Sequence, residues 1–146
     1  MAAQALVDQY HRWIDEVWGK GDFDVSAELI ADDLVDHDAP PGLPPGRAGH
    51  DLFCGMIREA FPDLHFTVDV VFADGDLVSG RWTMTGTQTG PLVGFGLEPT
   101  GKSVVMSGQE IFRVKDGKFV EMWHQEAVAN MLMQLGVIPP PPGPPS

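Results

Sequence analysis

A change of hydrophobic period near Pro62 constrains the fold of this chain more than any other feature of the sequence. Before this proline, apolar residues recur every three or four positions in residues 3–17 and 47–61, which is typical of amphipathic helices. After it, apolar and polar residues alternate in four segments, as in β-strands with one buried face. Helices followed by an antiparallel sheet predict an α+β domain, in which the sheet buries one face against the helices.

Turn and breaker residues set the limits of the predicted elements. Residues 39–49 and 89–102 are rich in proline or glycine, so they predict two long loops, which we expect to cover a pocket as lids. The last residues, 139–146, are mostly proline, so we expect one domain over residues 1–138 and a mobile proline-rich tail. Short helices are expected at about 23–32 and 127–135, and strands at 65–72, 77–88, 103–114 and 118–126.

Composition excludes several classes of function. The net charge of −12 at pH 7 argues against nucleic acid and anionic membranes as partners, because both would repel the protein. The single cysteine, Cys54, permits neither an intrachain disulfide nor a cysteine-based zinc site. Neither the histidine spacing nor any glycine cluster matches a metal or nucleotide motif, so no metal and no cofactor are expected. Without a signal-peptide pattern or a run of roughly 18 apolar residues, the chain is expected to be cytoplasmic.

Two ionisable residues, His124 and Glu110, lie beside apolar residues on the faces of their strands. His124 shares its face with Met122, and Glu110 shares its face with Phe112. A hairpin turn at residues 116–117 pairs the two strands and places His124 opposite Glu110 or its neighbour. Directly opposed side chains have Cβ atoms about 4.5–5.5 Å apart, so the sequence predicts a hydrogen bond between this carboxylate and this imidazole.

Such a pair suits general acid–base catalysis, because a carboxylate orients an imidazole and raises its proton affinity. His124 and Glu110 are therefore candidate catalytic residues, with Glu126 on the same face as an alternative carboxylate. A structural hydrogen bond in a polar part of the core explains the same pattern, so both interpretations stay open. The candidate substrate-binding residues of the pocket are Trp13, His37, Phe53, Met56, Trp82 and Gln88.

The other polar and aromatic residues are interpreted from their place in the predicted elements. His37 ends a segment that points either into a pocket mouth or into water. His11 and His50 lie in helices and are interpreted as surface residues. Arg81 and Trp123 alternate with the buried positions of their strands, so we expect them on the outer face of the sheet.

Three long segments carry a resemblance: "AFPDLHFTVDVVFADGDLVSGRWTMTGTQTG", "PTGKSVVMSGQEIFRVKDGKFVEMWHQEA" and "QLGVIP". They resemble the SnoaL-like polyketide cyclases, also called ester cyclases, of the nuclear transport factor 2-like superfamily. The resemblance implies a cone-shaped α+β fold with N-terminal helices packed on a curved antiparallel sheet around a pocket. It also implies a cofactor-free reaction on a small apolar or aromatic, polyketide-like substrate, in which a carboxylate–histidine pair removes a proton from an activated carbon and an aldol reaction closes a ring.

The resemblance further implies a homodimer or higher homo-oligomer, with Arg81, Thr83, Trp123 and Gln125 as candidate contacts on the outer sheet face. The sequence departs from the family pattern at four positions. His124 and Ala127 stand where acids are common, and Glu110 and Gln88 stand where a histidine is found in relatives. The histidine and the carboxylate of the catalytic pair therefore occupy each other's positions, compared with the family pattern. This leaves room for a ring closure other than an aldol. Two alternatives stay open: a non-catalytic module that binds a small ligand or dimerises, and an epoxide hydrolase or epoxide-opening cyclase.

Overall fold

The computed structural model describes residues 2–145, which form four α-helices and a five-stranded sheet. This architecture confirms the predicted α+β class. The helices are α1 (Ala2–Arg12), α2 (Phe23–Leu29), α3 (Gly46–Ala60) and α4 (Val128–Gln134), and a π-helical turn, Trp13–Trp18, continues α1. The strands are β1 (Ile30–Asp36), β2 (His65–Asp74), β3 (Leu77–Thr87), β4 (Ser103–Lys115) and β5 (Lys118–Glu126).

Strand β1 is the main difference between the predicted and the observed fold. The predicted helix at residues 23–32 ends at Leu29, and the chain continues as a strand that pairs in parallel with β5. The sheet order is β1-β5-β4-β3-β2, so the sheet is mixed and not entirely antiparallel. Three of the seven residues of β1 are aspartates, and aspartate is depleted from strands. Residue propensities therefore did not predict this strand.

A β-bulge at Asp69 decides which residues of β2 face the helices. The pairing of β2 with β3 passes from Val68 directly to Val70, which leaves Asp69 without a partner in the ladder. Simple alternation along residues 65–72 would place Val70 and Phe72 on the same face as Val68, and the structure does not. The extra residue moves Val70 and Phe72 to the outer face, where they are 54% and 61% exposed.

The outer face of the sheet carries polar and apolar side chains together. Arg81 donates a hydrogen bond to the Asp69 carboxylate at 2.6 Å, and Trp123 stacks on His37 with ring centroids 4.8 Å apart. Strands β2 and β4 carry four exposed apolar side chains: Val70, Phe72, Val105 and Ile111. The family resemblance implies a dimer contact on this face, and the oligomeric state stays a prediction.

An aromatic core joins the N-terminal helix to the inner face of the sheet. Phe112 of β4 and Phe119 of β5 stack with ring centroids 4.0 Å apart. Trp13 packs edge-on against Phe112 at 4.8 Å, and Tyr10 packs edge-on against the same ring at 6.2 Å. The apolar stripe of α1 and of the π-helical turn is thus buried against β4 and β5.

The C-terminal helix α4 is tied to β4 through one side chain. The Gln134 amide and carbonyl bond the backbone oxygen and nitrogen of Val105 at 2.8 Å each. Residues 139–145 form neither helix nor strand and are exposed, and the domain limit at residue 138 stays a prediction. Within residues 2–145, no helix is long and apolar enough to cross a membrane.

Candidate active site

A large cavity lies between the inner face of the sheet, the π-helical turn and α3. Its volume is about 1010 Å³, at the upper end of the range of roughly 300–1,000 Å³ found for small-molecule sites. Its polar side chains come mainly from β1, β4 and β5, whereas the rest of the wall is apolar. Four of the predicted substrate-binding residues line this wall: Trp13, Phe53, Met56 and Trp82. Trp18 and Phe66 line it as well.

The π-helical turn brings two tryptophans to the same wall of the cavity. Trp13 and Trp18 are five residues apart, and the i→i+5 hydrogen bonding of a π-helix places such residues on one face. Their ring centroids lie 6.2 Å apart, with the ring planes at 78°. An ordinary α-helix would place the residues of this pair on different sides.

Both of the predicted lid loops border the cavity. The proline-rich loop contributes Ala39 to Pro45, apart from Gly42, and the glycine-rich loop contributes Gly94 and Phe95. Most of these residues lack polar side chains, so the border of the cavity is apolar like its wall. This placement agrees with the prediction that loops 39–49 and 89–102 cover a pocket.

Glu110 lies in the middle of β4, where it lines the cavity and is 3% exposed. Both carboxylate oxygens accept hydrogen bonds from aromatic side chains. The Tyr10 hydroxyl donates to Oε1 at 2.6 Å, and the Trp82 Nε1–H donates to Oε2 at 2.6 Å. The carboxyl group is therefore fixed in orientation by one residue of α1 and one residue of β3.

Burial raises the pKa of Glu110, because an ionised carboxylate loses hydration in the core. The hydrogen bonds from Tyr10 and Trp82 oppose this rise, and the nearby negative charge of Glu126 adds to it. The net effect is a pKa of about 7. Glu110 can thus donate or accept a proton near neutral pH, as general acid–base catalysis requires.

Two glycines provide the space for the aromatic donors of Glu110. Gly80 is the partner of Glu110 across β3 and β4, and Gly108 is the partner of Trp82. A Cβ atom at Gly80 would collide with the Tyr10 ring, and one at Gly108 would collide with the Trp82 ring. The small residues at these two positions therefore allow both rings to reach the carboxylate.

We expect the Gly80→Ala substitution to destabilise the protein by about 1–3 kcal/mol, the usual cost of overpacking a core. The added methyl group must displace the Tyr10 ring, which also weakens the hydrogen bond to Glu110. Urea unfolding measures the effect, and Gly55→Ala on α3 is the matched control because its Cβ meets no atom closer than 4.0 Å. Equal stability of the two variants would contradict the proposed packing.

His124 binds a carboxylate through each of its ring nitrogens. Nδ1 lies 2.6 Å from Oε1 of Glu126, and Nε2 lies 2.9 and 3.1 Å from the two oxygens of Asp36. The backbone N–H of His124 donates to the Asp38 carboxylate at 2.8 Å. Asp36, His124 and Glu126 thus form a carboxylate–imidazole–carboxylate row along the cavity.

The two carboxylates favour the protonated form of the imidazole. Burial lowers the pKa of His124, but the hydrogen bonds and charges of Asp36 and Glu126 outweigh this and raise it to about 10. At neutral pH the ring is an imidazolium that donates both N–H groups. His124 therefore has no free lone pair with which to accept a proton, and the basic groups of the row are the two carboxylates.

The register predicted from the hairpin is confirmed, because Glu110 and His124 are direct partners across β4 and β5. The predicted hydrogen bond between them is wrong. Glu110 bonds Tyr10 and Trp82, whereas His124 bonds Asp36 and Glu126. Opposed Cβ atoms permit such a bond, but the other donors and acceptors around them determine which bonds form.

Two of the predicted pocket residues lie outside the cavity, which corrects their interpretation. His37 lies on the outer face, where its Nε2 bonds Glu121 at 2.7 Å and its ring stacks on Trp123. Gln88 is fully buried, but its side-chain amide bonds the neighbouring loop instead of lining the cavity. His37 faces outward because it follows Asp36, which faces inward at the end of a strand.

Asp36 is the site residue that sequence reasoning missed. It ends β1 and alternates with Leu34, which is buried on the inner face. This spacing would have indicated Asp36 if the segment had been recognised as a strand. The missed strand therefore explains the missed partner of His124.

His50 was also interpreted wrongly as a surface residue. Its ring lines the cavity, accepts a hydrogen bond from Trp13 Nε1 at 3.0 Å and lies 2.9 Å from the Asp51 carboxylate. The indole can only donate, so Nε2 of His50 accepts and Nδ1 carries the proton toward Asp51. This neutral histidine fixes the orientation of the Trp13 ring.

The family model of the SnoaL-like polyketide cyclases matches residues 8–135 of the chain. None of the curated proteins compared with the chain matches it. Many solved structures do, and one is IdmH from Streptomyces antibioticus, a candidate polyketide cyclase. It is 35% identical, with a TM-score of 0.74 over 90% of this chain and 98% of IdmH.

Two further structures show the same fold at lower identity. A candidate polyketide cyclase from Bacillus cereus ATCC 10987 is 27% identical, with a TM-score of 0.79 over 92% of this chain and 82% of that protein. AclR from Streptomyces galilaeus, a candidate hydroxylase, is also 27% identical, with a TM-score of 0.76 over 93% of this chain and 85% of AclR. The predicted cone-like α+β fold is thereby confirmed.

Proposed function

Because this chain belongs to the family of SnoaL-like polyketide cyclases, we propose that it is a cofactor-independent cyclase or isomerase of a polyketide-like or other apolar natural-product intermediate. The reaction uses general acid–base catalysis inside the cavity. One observation supports this most strongly: Glu110, whose pKa is about 7, lines the same cavity as the row of Asp36, His124 and Glu126. Acid–base sites pair titratable groups whose surroundings move their pKa values apart.

In this proposal the general base is a carboxylate of the row, and Glu126 fits the role better than Asp36. Glu126 bonds His124 through Oε1 alone, which leaves Oε2 to accept a proton from the substrate. Asp36 uses both of its oxygens toward Nε2 of His124. Asp36 therefore keeps the imidazolium charged and oriented, and the imidazolium holds Glu126 in place.

Glu110 acts as the general acid. The base removes a proton from a carbon beside a carbonyl group, and the resulting enolate attacks a second carbonyl carbon of the same molecule. Glu110 gives a proton to the oxygen of that second carbonyl, which becomes a hydroxyl group as the new carbon–carbon bond forms. One proton is removed and one is donated, so the ring closes without a cofactor or a change of oxidation state.

The proposal is tested with 2-tetralone, an apolar ketone with acidic protons beside its carbonyl group. The wild-type protein is expected to accelerate deuterium uptake at these positions in D₂O, followed by proton NMR. Glu126→Gln is expected to lower the rate by about 10²- to 10⁴-fold, the usual contribution of a positioned acid–base group. Glu121→Gln is the matched control on the same strand, because Glu121 bonds His37 and Arg113 on the outer face.

Two outcomes would contradict the proposal. If wild-type protein binds 2-tetralone, as shown by perturbed resonances, but does not accelerate exchange, the cavity is a binding module. If Glu126→Gln and Glu121→Gln exchange the probe at the wild-type rate, the acceleration does not come from the row.

The protonated His124 ring lies between the carboxylates of Asp36 and Glu126, and this arrangement favours a second reaction, the opening of an epoxide. In that reaction Glu126 takes a proton from a water or hydroxyl nucleophile, which attacks an epoxide carbon, while Glu110 protonates the epoxide oxygen as the ring bond breaks. Arg81 does not take part in this reaction, because it lies on the outer face, bonded to Asp69. Diol formation from cyclohexene oxide without exchange of 2-tetralone would favour this reaction over the aldol type.

A further inference from the structure

The Gln88 side chain joins the two ends of the glycine-rich loop. Its amide nitrogen donates to the carbonyl oxygens of Gly90 and Glu98 at 3.2 and 3.1 Å. Its carbonyl oxygen accepts from the backbone N–H of Thr100 at 3.1 Å and from the hydroxyl of Thr100 at 2.7 Å. All four hydrogen-bonding positions of a primary amide are therefore filled, and all of them are filled by the loop.

The backbone of Gln88 closes the base of the same loop. Its N–H donates to the carbonyl oxygen of Lys102 at 2.9 Å, and its carbonyl oxygen accepts from Gly101 at 2.8 Å. Gln88 has no exposed surface, so each lost partner would leave a buried polar group unpaired. Gln88 thus connects the loop to the end of β3 through both its backbone and its side chain.

The far end of the loop is an apolar turn beside the cavity. Leu92 and Leu97 bond each other through their backbones at 2.9 and 3.1 Å, and a short 3₁₀ turn, Val93–Phe95, lies between them. Phe95 lines the cavity and is 40% exposed, which is unusual for a phenylalanine of a folded domain. A ligand in the cavity would therefore contact this ring.

We propose that Gln88 is a positioning residue for a lid formed by residues 89–102, and that it controls the access of apolar ligands by holding Phe95 over the cavity. Removal of the amide frees both ends of a long loop, while the sheet keeps its own hydrogen bonds. The turn that carries Phe95 then moves away from the border of the cavity more often. This inference concerns access and does not depend on which reaction takes place.

Intrinsic tryptophan fluorescence reports this access without a substrate. Of the four tryptophans, only Trp123 lies outside the cavity, so a Trp123→Phe background leaves Trp13, Trp18 and Trp82, which all line it. Quenching by acrylamide, a neutral molecule, then measures entry into the cavity. Gln88→Ala is expected to raise the quenching constant about twofold or more. Thr85→Ala, an exposed position of β3, is the matched control and is expected to leave the constant unchanged.

Amide hydrogen exchange measures the opening of the loop itself. Loss of a buried hydrogen-bond partner corresponds to about a tenfold or larger increase in the open population. We therefore expect the protection of the Leu92 and Leu97 amides to fall by about tenfold in Gln88→Ala, while the amides of β4 keep their protection. Gln88→Glu is expected to resemble Gln88→Ala, because a carboxylate cannot donate to the carbonyl oxygens of Gly90 and Glu98.

A double-mutant cycle separates positioning from general loosening. Phe95→Ala is expected to fold, because the side chain is 40% exposed, and to raise acrylamide quenching as Gln88→Ala does. If Gln88 acts through Phe95, the double variant is quenched no more than the stronger single variant. The inference is overturned if folded Gln88→Ala is quenched like the parent, or if the two effects add.

If Gln88→Ala does not fold, Thr100→Val replaces it in the quenching experiment. This substitution removes one of the four hydrogen bonds of the Gln88 side chain, that from the Thr100 hydroxyl. Quenching equal to that of the parent would then overturn the inference.

Discussion

The His124→Ala protein is expected to lose both stability and activity, since the substitution removes the cation between two carboxylates. Asp36 and Glu126 each have a side chain that is a quarter exposed or less. Removing one partner of such a buried charged group costs about 3–5 kcal/mol, because the other charges stay buried without a counterion. We also expect proton exchange from 2-tetralone to fall by about 10²- to 10⁴-fold, since Glu126 is no longer held in place.

The stability loss in His124→Ala should depend on pH in a defined direction. The pKa of His124 is raised from 6.5 to about 10 in the folded protein, so the folded state holds this proton more tightly than the unfolded chain. The stabilisation from His124 is therefore fully present below about pH 6.5 and is lost as the pH rises toward 10. Urea unfolding of wild type and His124→Ala at pH 6, 8 and 10 should give a difference that shrinks at each step.

His37→Ala provides the matched control for this prediction. His37 also bonds a carboxylate, that of Glu121, but on the outer face, where its side chain is 39% exposed. Exposed ion pairs contribute about 0–1 kcal/mol, so this substitution should have a small effect. A His124→Ala protein that loses no more stability than His37→Ala at pH 6 would contradict the charged row.

The Glu110→Gln protein is expected to lose the dependence of exchange activity on pH around neutrality, together with most of the activity. Glutamine keeps the shape of glutamate, and its Oε1 can accept from Trp82 while its amide donates to the Tyr10 hydroxyl. It cannot donate an acidic proton to the single carbonyl oxygen of 2-tetralone as the enol forms, so the exchange rate should fall by about 10²-fold or more. In wild type the rate should decline as the pH rises through about 7, where Glu110 loses its proton.

The stability of Glu110→Gln relative to wild type should change with pH in the same direction as that of His124→Ala, but over a lower pH range. The pKa of Glu110 is raised from 4.5 to about 7 on folding, so the unfolded chain releases this proton more readily than the folded protein. Wild type therefore loses stability between about pH 4.5 and 7, by on the order of 3 kcal/mol at about 1.4 kcal/mol per pKa unit. Relative to wild type, Glu110→Gln should become more stable as the pH rises from 5 to 8.

Tyr10→Phe tests whether this titration belongs to Glu110. The Tyr10 hydrogen bond lowers the pKa of Glu110, so its removal should move the midpoint of the pH–rate profile upward. Glu110→Gln should abolish the same midpoint. If the profile keeps its midpoint in both variants, another group titrates and the assignment of Glu110 as the acid is wrong.

Local periodicity was enough to predict most of the elements. The stripe that begins at Ala3 became α1 with its π-helical extension, and the four alternating segments after Pro62 became β2 to β5. Such patterns succeed because each element buries one face, which the spacing of apolar residues records. The strand β1 was missed because its aspartates conceal that spacing. Asp36, which ends this strand, was therefore not predicted as a site residue.

The site was predicted in part, and the limit has a clear cause. Glu110, His124 and Glu126 were placed together because a short hairpin joins β4 and β5, so their register depends on nearby residues. The lining by Trp13, Phe53, Met56 and Trp82 followed from helix and strand faces. His37 and Gln88 were placed wrongly, since their orientation depends on β1 and on loop contacts that have no periodic pattern.

The sequence by itself determined the α+β fold, the order of β2 to β5 and the pairing of Glu110 with His124, because these depend on local periodicity and a tight turn. Only the tertiary structure decided the chemistry of the two residues. Tyr10 is 100 residues from Glu110 in the sequence, and Asp36 is 88 residues from His124. Burial raises the pKa of Glu110 against the opposing hydrogen bond from Tyr10, whereas Asp36 and Glu126 keep His124 a cation against the effect of burial. A pattern along the chain records neither balance.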